Sequence, residues 1–160
     1  MADSKPFYLR LSERIVSSRP GASFFRKTMH RIDVPLMKLT KGRLGFSTAY
    51  PTMLLTTTGA KSGKQRTVPV LYIERDDGSM AIIGTRFGSQ QHPGWVHNLR
   101  KHPTATVEIR GETQTCTARE ATEDERGPIW ATANEMYSGY DRYAARANRK
   151  IPILILTPTP

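Results

Sequence analysis

Cysteine is almost missing from this chain of 160 residues, which contains only Cys116. A single cysteine cannot form an intramolecular disulfide, and it excludes zinc and iron–sulfur sites built from several cysteines. Long apolar runs are also missing, since no stretch approaches the roughly 20 residues that a membrane-spanning helix needs. The N-terminal residues MADSKPFYLR lack the apolar core of a signal peptide, so the sequence favours a cytoplasmic protein.

Histidine is scarce, and its spacing is unsuited to metal binding. His92, His97 and His102 follow one another at intervals of five, about 140° around a helix, so they do not share a face. The chain also lacks the H-E-x-x-H motif of zinc proteases. The sequence therefore predicts no metal site.

Acidic residues are outnumbered, with 14 Asp and Glu against 24 Lys and Arg, which gives a net charge of +10. Residues 1–50 hold ten basic and three acidic side chains, residues 51–110 eight and four, and residues 111–160 six and seven. An anionic partner is expected: a phosphorylated or acidic cofactor, nucleic acid or an anionic membrane. The 38% of hydrophobic residues suffices for one core, so one compact domain is expected.

Helical patterns precede residue 50, and strand patterns follow it. Amphipathic helices are predicted over 7–18 and over 23–40, the second kinked or ended early by Pro35. The predicted strands are 52–58, 65–75, 80–86, 104–110, 113–120 and 151–156. The predicted later helices are 94–102 and 129–148, the second with a break at Gly139 and preceded by a capping box of Thr122 and Glu125.

Six strands joined by tight hairpins predict a mainly β protein, an antiparallel barrel flanked by helices. We divide the chain into a basic helical segment, residues 1–50, and a barrel domain, residues 51–160.

The turn over residues 59–66 (GAKSGKQR) combines two glycines with the cations Lys61, Lys64 and Arg66. Backbone N–H groups of such a turn can form a nest for an anion. The turn is not a phosphate-binding P-loop, since Thr58 stands where that motif needs its first glycine. Spacing alone leaves an anion site and a solvated hairpin turn both open.

Two further stretches are weaker candidates. Residues 84–89 (GTRFGS) form a glycine-rich loop with one arginine at a strand end, which can hold a ligand or be an ordinary loop. Trp95 and Asn98 lie three apart on a predicted helix face, where packing and capping are the alternative roles.

A row of phenols is the last candidate. Tyr137, Tyr140 and Tyr143 recur at intervals of three and form one stripe along a helix. A buried phenol O–H needs a partner, so core packing alone would favour Phe or Leu. The row can line a substrate pocket or form the edge of the core.

Several of these motifs occur together in one known family. LLTTTGAKSGKQR over 54–66 resembles the LLTTTGRKSG-x-x-R signature of the deazaflavin (coenzyme F420)-dependent nitroreductase and quinone reductase family, and PGWVHNLRKHP over 93–103 matches its P-x-W-x-x-N-L-x-x-x-P. The acidic helix start at 121–126 and the tyrosine row also fit. The resemblance extends from about residue 52 to 157.

The resemblance implies a split β-barrel like that of FMN-binding proteins, binding reduced coenzyme F420, a deazaflavin with a phosphate and a polyglutamate tail. The residues expected at the phosphate and tail are Lys61, Arg66 and Arg86. Those expected along the deazaflavin and its ribityl chain are Pro69, Gly84, Thr85, Gly94, Trp95 and Asn98. Those expected at the substrate are Leu71, Tyr137, Tyr140 and Tyr143. Leu71 stands where a nitroreducing relative has a tyrosine.

The implied reaction is hydride transfer from the reduced deazaflavin to a quinone of the menaquinone type or to a nitroaromatic. Thr85 and Tyr137 are expected to stabilise the negative charge that develops on the acceptor oxygen. The basic N-terminal helices are expected to reach the anionic inner face of the plasma membrane, and the chain to be a monomer or a weak homodimer. An FMN-dependent oxidoreductase and a non-enzymatic F420 carrier stay open, whereas a nucleic-acid-binding module lacks a recognised motif.

Overall fold

The computed structural model describes residue 32, residues 34–40 and residues 50–160. Its strands are β1 Thr52–Thr58, β2 Gln65–Glu74, β3 Met80–Ile83, β4 Thr104–Ile109, β5 Glu112–Glu120 and β6 Ile153–Pro158. Its helices are α1 Gly94–Lys101, α2 Glu123–Met136 and α3 Gly139–Ala147, and a 3-10 turn at Arg86–Gly88 follows β3.

Residues 34–39 are also helical, so the second predicted helix does not end at Pro35. The predicted helix over 7–18 and the remainder of 23–40 lie outside the described residues, and the domain division at residue 50 stays a prediction. None of the described helices is long and apolar enough to span a bilayer.

The strands of residues 52–158 close into one antiparallel barrel in the order β1-β2-β3-β6-β5-β4. In this register Leu55 of β1 lies opposite Val68 of β2 and Val107 of β4. Closure gives every strand of the barrel a partner on each side. The pairing is incomplete along β2, where among the described residues Gln65–Leu71 pair only with β1 and β3 pairs with Tyr72–Glu74. The predicted barrel with flanking helices is confirmed.

Two hydrophobic clusters follow from the alternation along the strands. Leu154 and Leu156 of β6 belong to an interior cluster, to which α1 contributes Trp95, Val96 and Leu99. Ile153 and Ile155 belong to a second cluster. Because successive strand residues point to opposite faces, this outer cluster lies on the outside of the barrel. Side chains of α2 and α3 complete the outer cluster, so β6 is buried on both faces and reads as an unbroken apolar run.

Helix α2 begins at Glu123, directly after the predicted cap Thr122, and it includes Pro128, which the predicted helical stretch 129–148 left out. The backbone N–H of Thr122 donates to the Glu125 carboxylate at 2.9 Å, which stabilises the first turn as the predicted capping box requires. Pro128 is the sixth residue of the helix, where it removes one backbone hydrogen bond and its ring crowds the Asp124 carbonyl, yet the helix continues to Met136.

Strand β3 is shorter than predicted, because the chain leaves the sheet at Gly84. The Gly84 N–H donates to the Pro152 carbonyl at 2.8 Å, and a Cβ on Gly84 would lie 2.8 Å from Pro152 Cγ. Glycine is therefore required at this close approach. The approach fixes the start of the loop over residues 84–92, which connects β3 to α1.

Candidate functional site

A pocket of about 890 Å³ lies between the β1–β2 turn and α1. We call it the basic pocket, and it is lined by Gly59, Ala60, Lys61, Ser62, Arg66, Gly94, His97, Asn98, Arg100 and Lys101. Five of these side chains are Lys, Arg or His, and none is acidic. The structure thus brings together four of the predicted cofactor residues: Lys61, Arg66, Gly94 and Asn98.

Glycine determines the shape of the turn at the mouth of this pocket. Gly63 has a φ of +66°, a left-handed conformation that disfavours other residues. Space is limited at Gly59, since a Cβ there would lie 2.5 Å from Ser62 Oγ and 3.1 Å from the Lys64 carbonyl oxygen of the backbone. The Gly63 N–H donates to the Gly59 carbonyl, and the Gly59 N–H donates to the Lys64 carbonyl, both at 2.8 Å. The turn is therefore a closed, hydrogen-bonded loop.

Two side chains of α1 hold this turn in place. Asn98 Nδ2 donates to Thr57 Oγ1 at 3.0 Å, and Asn98 Oδ1 accepts the Ala60 N–H at 2.9 Å. One helical turn later, Lys101 Nζ donates to the Ala60 carbonyl at 2.6 Å. The buried Asn98 amide thus shapes the pocket from behind, and its direct contact with a cofactor stays a prediction.

The cations at the pocket differ in how they are engaged. Arg100 Nε pairs with the Glu120 carboxylate at 2.6 Å. Lys61 and Arg66 are exposed and make no hydrogen bond or ion pair with any residue in the described part of the chain. An anion entering the pocket can therefore pair with these two cations without breaking an existing bond.

Two residues that line the pocket and are absent from the predicted cofactor residues, His97 and Lys101, carry a helical signal. Gly94, His97, Asn98 and Lys101 lie at i, i+3, i+4 and i+7, so they share one face of α1. The sequence prediction of cofactor residues contains Gly94 and Asn98 of these four. The positions of His97 and Lys101 follow from the same periodicity, whereas the meeting of this face with the β1–β2 turn is a tertiary contact.

The loop over residues 84–92 carries three more predicted cofactor residues, and it is outside the basic pocket's lining. Thr85 is only 8% exposed, and its hydroxyl has no hydrogen-bond partner among the described residues. The Arg86 guanidinium donates to Gln91 Oε1 at 2.7 Å and to the His92 carbonyl at 3.3 Å. Contact of Gly84, Thr85 and Arg86 with a cofactor stays a prediction.

Two further predicted cofactor residues are buried on different sides of the barrel wall. Trp95 is buried in the interior cluster. Pro69 is buried on β2, opposite Leu54 of β1. It faces outward, since its neighbours Val68 and Val70 pack against the interior cluster. Neither residue lines the basic pocket, and their contact with the deazaflavin stays a prediction.

The four predicted substrate residues share the outer cluster, and we call this set, Leu71, Tyr137, Tyr140 and Tyr143, the tyrosine cluster. The Tyr137 and Tyr143 hydroxyls share a hydrogen bond of 2.9 Å. The Tyr137 ring meets the Tyr140 ring edge-on, with 5.7 Å between centroids. Burial raises the pKa of the Tyr140 and Tyr143 hydroxyls above the usual range, so both stay protonated at neutral pH.

Metal and thiol chemistry have little support in the described residues. Within residues 32, 34–40 and 50–160, no three His, Cys, Asp or Glu side chains are grouped so that they could hold a metal ion. Cys116 is buried in the interior cluster, and burial raises the pKa of its thiol. A thiol in such surroundings is a small core residue.

Comparisons with known proteins agree with the resemblance seen in the sequence. The chain is 31% identical over 132 residues to the F420H(2)-dependent quinone reductase Rv1261c of Mycobacterium tuberculosis (strain ATCC 25618 / H37Rv), covering 79% of this chain and 88% of that protein. A solved structure of an F420-H2 dependent reductase (FDR-A) matches with a TM-score of 0.60 and 38% identity, over 66% of this chain and 93% of that one.

A second solved structure, named a domain-swapped dimer, matches with a TM-score of 0.63 and 33% identity, over 84% of this chain and 97% of that one. The family model described as F420H(2)-dependent quinone reductase matches residues 29–158. These matches confirm the expected family, barrel and cofactor. The chain belongs to the F420H(2)-dependent quinone reductase family, and it is an F420-dependent oxidoreductase.

Proposed function

We propose that this oxidoreductase transfers a hydride from reduced F420 to a quinone, and that the basic pocket holds the phosphate and tail of the cofactor. One observation carries the proposal: five basic side chains and no carboxylate line a pocket at a glycine turn. The positive potential of such a pocket attracts an anionic cofactor. Exposed cations keep most of their hydration until the cofactor binds, so pairing them with its phosphate costs little desolvation free energy.

The residues present fit the cofactor in a second respect. The buried Thr85 hydroxyl has no hydrogen-bond partner in the described part of the chain. Buried polar groups in proteins are nearly always satisfied, so such a hydroxyl is suited to a polar atom that a ligand brings. Lys61 and Arg66 would hold the phosphate and tail, and Thr85 would face the deazaflavin end.

When bound, reduced F420 supplies the hydride, and a quinone that takes up one hydride and one proton becomes a hydroquinone. The chain itself must hold the acceptor and stabilise the negative charge that develops on its oxygen. Thr85 and Tyr137 are our candidates, because each hydroxyl lies in buried surroundings where a donor has a large effect. The hydrogen bond between Tyr137 and Tyr143 restricts the direction in which the Tyr137 hydroxyl points.

The tyrosine cluster suits a flat acceptor with polar oxygens. Its aromatic rings offer apolar surface, and its protonated hydroxyls offer hydrogen-bond donors. Leu71 adds a side chain without a donor in the same cluster. We therefore propose a quinone as the acceptor, with nitroaromatics as the second class to be tested.

The test is the anaerobic oxidation of F420H2 by the 160-residue chain, with menaquinone analogues and nitroaromatics as acceptors. The recovery of deazaflavin absorbance measures the rate. The proposal expects turnover with quinones that exceeds turnover with nitroaromatics, and no tight binding of FMN. Binding of F420 without turnover would support a carrier instead. Preferential binding of FMN would support the flavin alternative.

We further propose that the basic N-terminal stretch brings the enzyme to an anionic bilayer, where lipid-soluble quinones are dissolved. This proposal rests on the charge of residues 1–50, ten basic against three acidic side chains. Replacing Lys5, Arg10 and Arg14 by Gln is expected to weaken co-sedimentation with anionic vesicles by about 1 kcal/mol per residue. Equal co-sedimentation of the variant would contradict membrane association through this stretch.

A further inference from the structure

Two arginines from outside the loop over residues 84–92 donate to its carbonyls, and Arg149 makes most of these bonds, whereas Arg146 Nη1 reaches the Phe87 carbonyl at 3.5 Å. Arg149 follows α3 and lies beside the loop, and all three of its guanidinium nitrogens contact it. Its Nε donates to the Ser89 carbonyl at 3.0 Å, and its Nη1 contacts His92 Nδ1 at 2.8 Å. Its Nη2 donates to the carbonyls of Gly84 at 3.0 Å, Gln91 at 3.1 Å and Thr85 at 3.3 Å.

The loop needs such a support, because three successive residues in it have left-handed backbone conformations. The φ angles are 48° at Arg86, 55° at Phe87 and 77° at Gly88. For residues other than glycine such conformations cost about 1–3 kcal/mol each, and they persist where the surroundings fix them. Within the loop, the Gly88 N–H donates to the Thr85 carbonyl at 3.0 Å and the Ser89 N–H donates to the Arg86 carbonyl at 3.1 Å. These two bonds close overlapping turns at residues 85–89 and leave the carbonyls of Gly84, Ser89 and Gln91 to Arg149.

The contacts of Arg149 are unusual for an arginine. Among the described residues it pairs with no carboxylate, and its partners are backbone carbonyls and one imidazole. Burial, followed by repulsion from Arg86, lowers its pKa. Only the planar guanidinium has donors that point in enough directions to reach carbonyls on both sides of the loop, so lysine cannot replace it.

We propose that Arg149 is a positioning residue for F420 binding, which fixes the carbonyls of the loop and thereby the place of the Thr85 hydroxyl and the Arg86 side chain. This inference rests on the proposed role of the loop at the cofactor. Arg149 itself is occupied by the loop, so it acts through Thr85 and Arg86 and needs no contact with the cofactor.

The test compares Arg149→Lys, which keeps the charge, with Arg110→Lys as the matched control. Arg110 is exposed in the β4–β5 turn and makes no hydrogen bond or ion pair with a described residue. Three quantities are measured for each variant: the Kd for F420 by fluorescence, the thermal midpoint, and hydrogen exchange of the amides in residues 84–92.

We expect Arg149→Lys to weaken F420 binding about tenfold, the effect of losing one charged hydrogen bond or more. We also expect faster hydrogen exchange confined to the loop, and no change in either quantity for Arg110→Lys. A lower thermal midpoint and faster exchange with a wild-type Kd, measured well below the midpoint, would mean that Arg149 only stabilises the fold, and would overturn the inference.

The result is separable from the proposed function. Failure of the wild-type chain to bind F420 would overturn the proposed function, whereas binding that is insensitive to Arg149→Lys would overturn only this inference. Should the lysine variant fail to fold, His92→Phe removes one acceptor and leaves the other contacts of Arg149. It is expected to weaken F420 binding about threefold, and an unchanged Kd would contradict the inference.

Discussion

The basic pocket and the tyrosine cluster handle polar groups in opposite ways. In the basic pocket, Lys61 and Arg66 are exposed, and no described residue pairs with them. In the tyrosine cluster, phenols are buried and bonded to each other, as the Tyr137–Tyr143 hydrogen bond shows. Exposed cations bind an anion at little cost but weakly in salt, whereas buried donors act strongly on a charge that develops beside them.

This difference predicts that the basic pocket determines the affinity for the cofactor and that the tyrosine cluster determines the rate of hydride transfer. Substitutions in the basic pocket should change the Kd of the cofactor, and substitutions in the tyrosine cluster should change kcat or stability. Each prediction below tests whether the two regions are as independent as their geometry indicates.

The largest expected effect is that of Tyr137→Phe on kcat. If the Tyr137 hydroxyl stabilises the charge on the acceptor oxygen, its loss lowers kcat by roughly 10²–10³-fold with little change in the Kd for F420. Steady-state kinetics and fluorescence titration measure the two quantities.

Tyr143→Phe is the matched control, since it removes the same hydrogen bond between the two hydroxyls. Both variants should lose similar stability, and Tyr143→Phe, which removes only the group that orients the Tyr137 hydroxyl, should lower kcat far less than Tyr137→Phe. A raised KM with an unchanged kcat would mean that Tyr137 binds the acceptor equally in the ground and transition states. Unchanged kinetic constants with a lower thermal midpoint would mean that Tyr137 contributes only to the packing of the cluster.

Gly139→Ala should break the tyrosine cluster while sparing the basic pocket. A Cβ on Gly139 would lie 2.2 Å from Cε1 of Tyr137, so the ring must shift. Overpacking of this kind costs about 1–3 kcal/mol in the free energy of unfolding, which urea denaturation measures.

Gly127→Ala in α2 is its control, because nothing lies within 4 Å of the added Cβ. That variant should be more stable by about 0.5–1 kcal/mol. The Kd for F420 should stay the same in both glycine variants, and a clear loss of affinity in Gly139→Ala would show that the two regions are coupled.

The double substitution Lys61→Ala and Arg66→Ala should weaken F420 binding by about tenfold at low salt, and the loss should shrink as salt is added. Lys64→Ala is the control on the same turn, since Lys64 is exposed but does not line the pocket. An equal loss of F420 affinity in the control and the double variant would mean that the overall positive charge, and not specific contacts of Lys61 and Arg66, attracts the cofactor.

The smallest expected effect concerns pH and His92. Burial and then Arg149 lower the pKa of His92, with Arg100 and His97 adding to the shift and Glu120 opposing it. Because the pKa is lower in the folded chain, the unfolded chain binds more protons, and stability increases with pH through this window. The contribution is complete above the ordinary pKa of 6.5 and is lost as pH falls towards the folded value.

His92→Gln, whose side-chain oxygen can still accept a hydrogen bond from Arg149, should flatten this pH dependence. Thermal midpoints between about pH 5 and 8 measure it. An identical pH profile in the variant would assign the dependence to another group.

Much of the barrel could be predicted because its signals are local. The β-branched run of β1 gives the observed strand bounds, and the Thr122–Glu125 pair marks the start of α2. The basic turn was found for the same reason, since its glycines and cations are adjacent in the sequence. The end of β3 was placed too late, because it depends on the close approach of Gly84 to Pro152, far away in the chain.

The remaining parts of the candidate site depend on contacts over long sequence distances. Arg149 contacts residues 84–92 across more than 55 positions, and no local pattern distinguishes it from other arginines. The sequence also left open whether the tyrosine row was pocket or core edge. Its burial beside the outward face of β6 is a consequence of the barrel's closure, which only the structure gives.

The most direct test of the account compares the Kd of two ligands: F420, and the same deazaflavin with its ribityl chain but without phosphate and tail. If the basic pocket holds the phosphate and tail, wild-type protein binds F420 the more tightly. The double variant of Lys61 and Arg66 then loses most of that difference and binds the truncated ligand as the wild type does. Equal Kd values for the two ligands in the wild type would contradict the account.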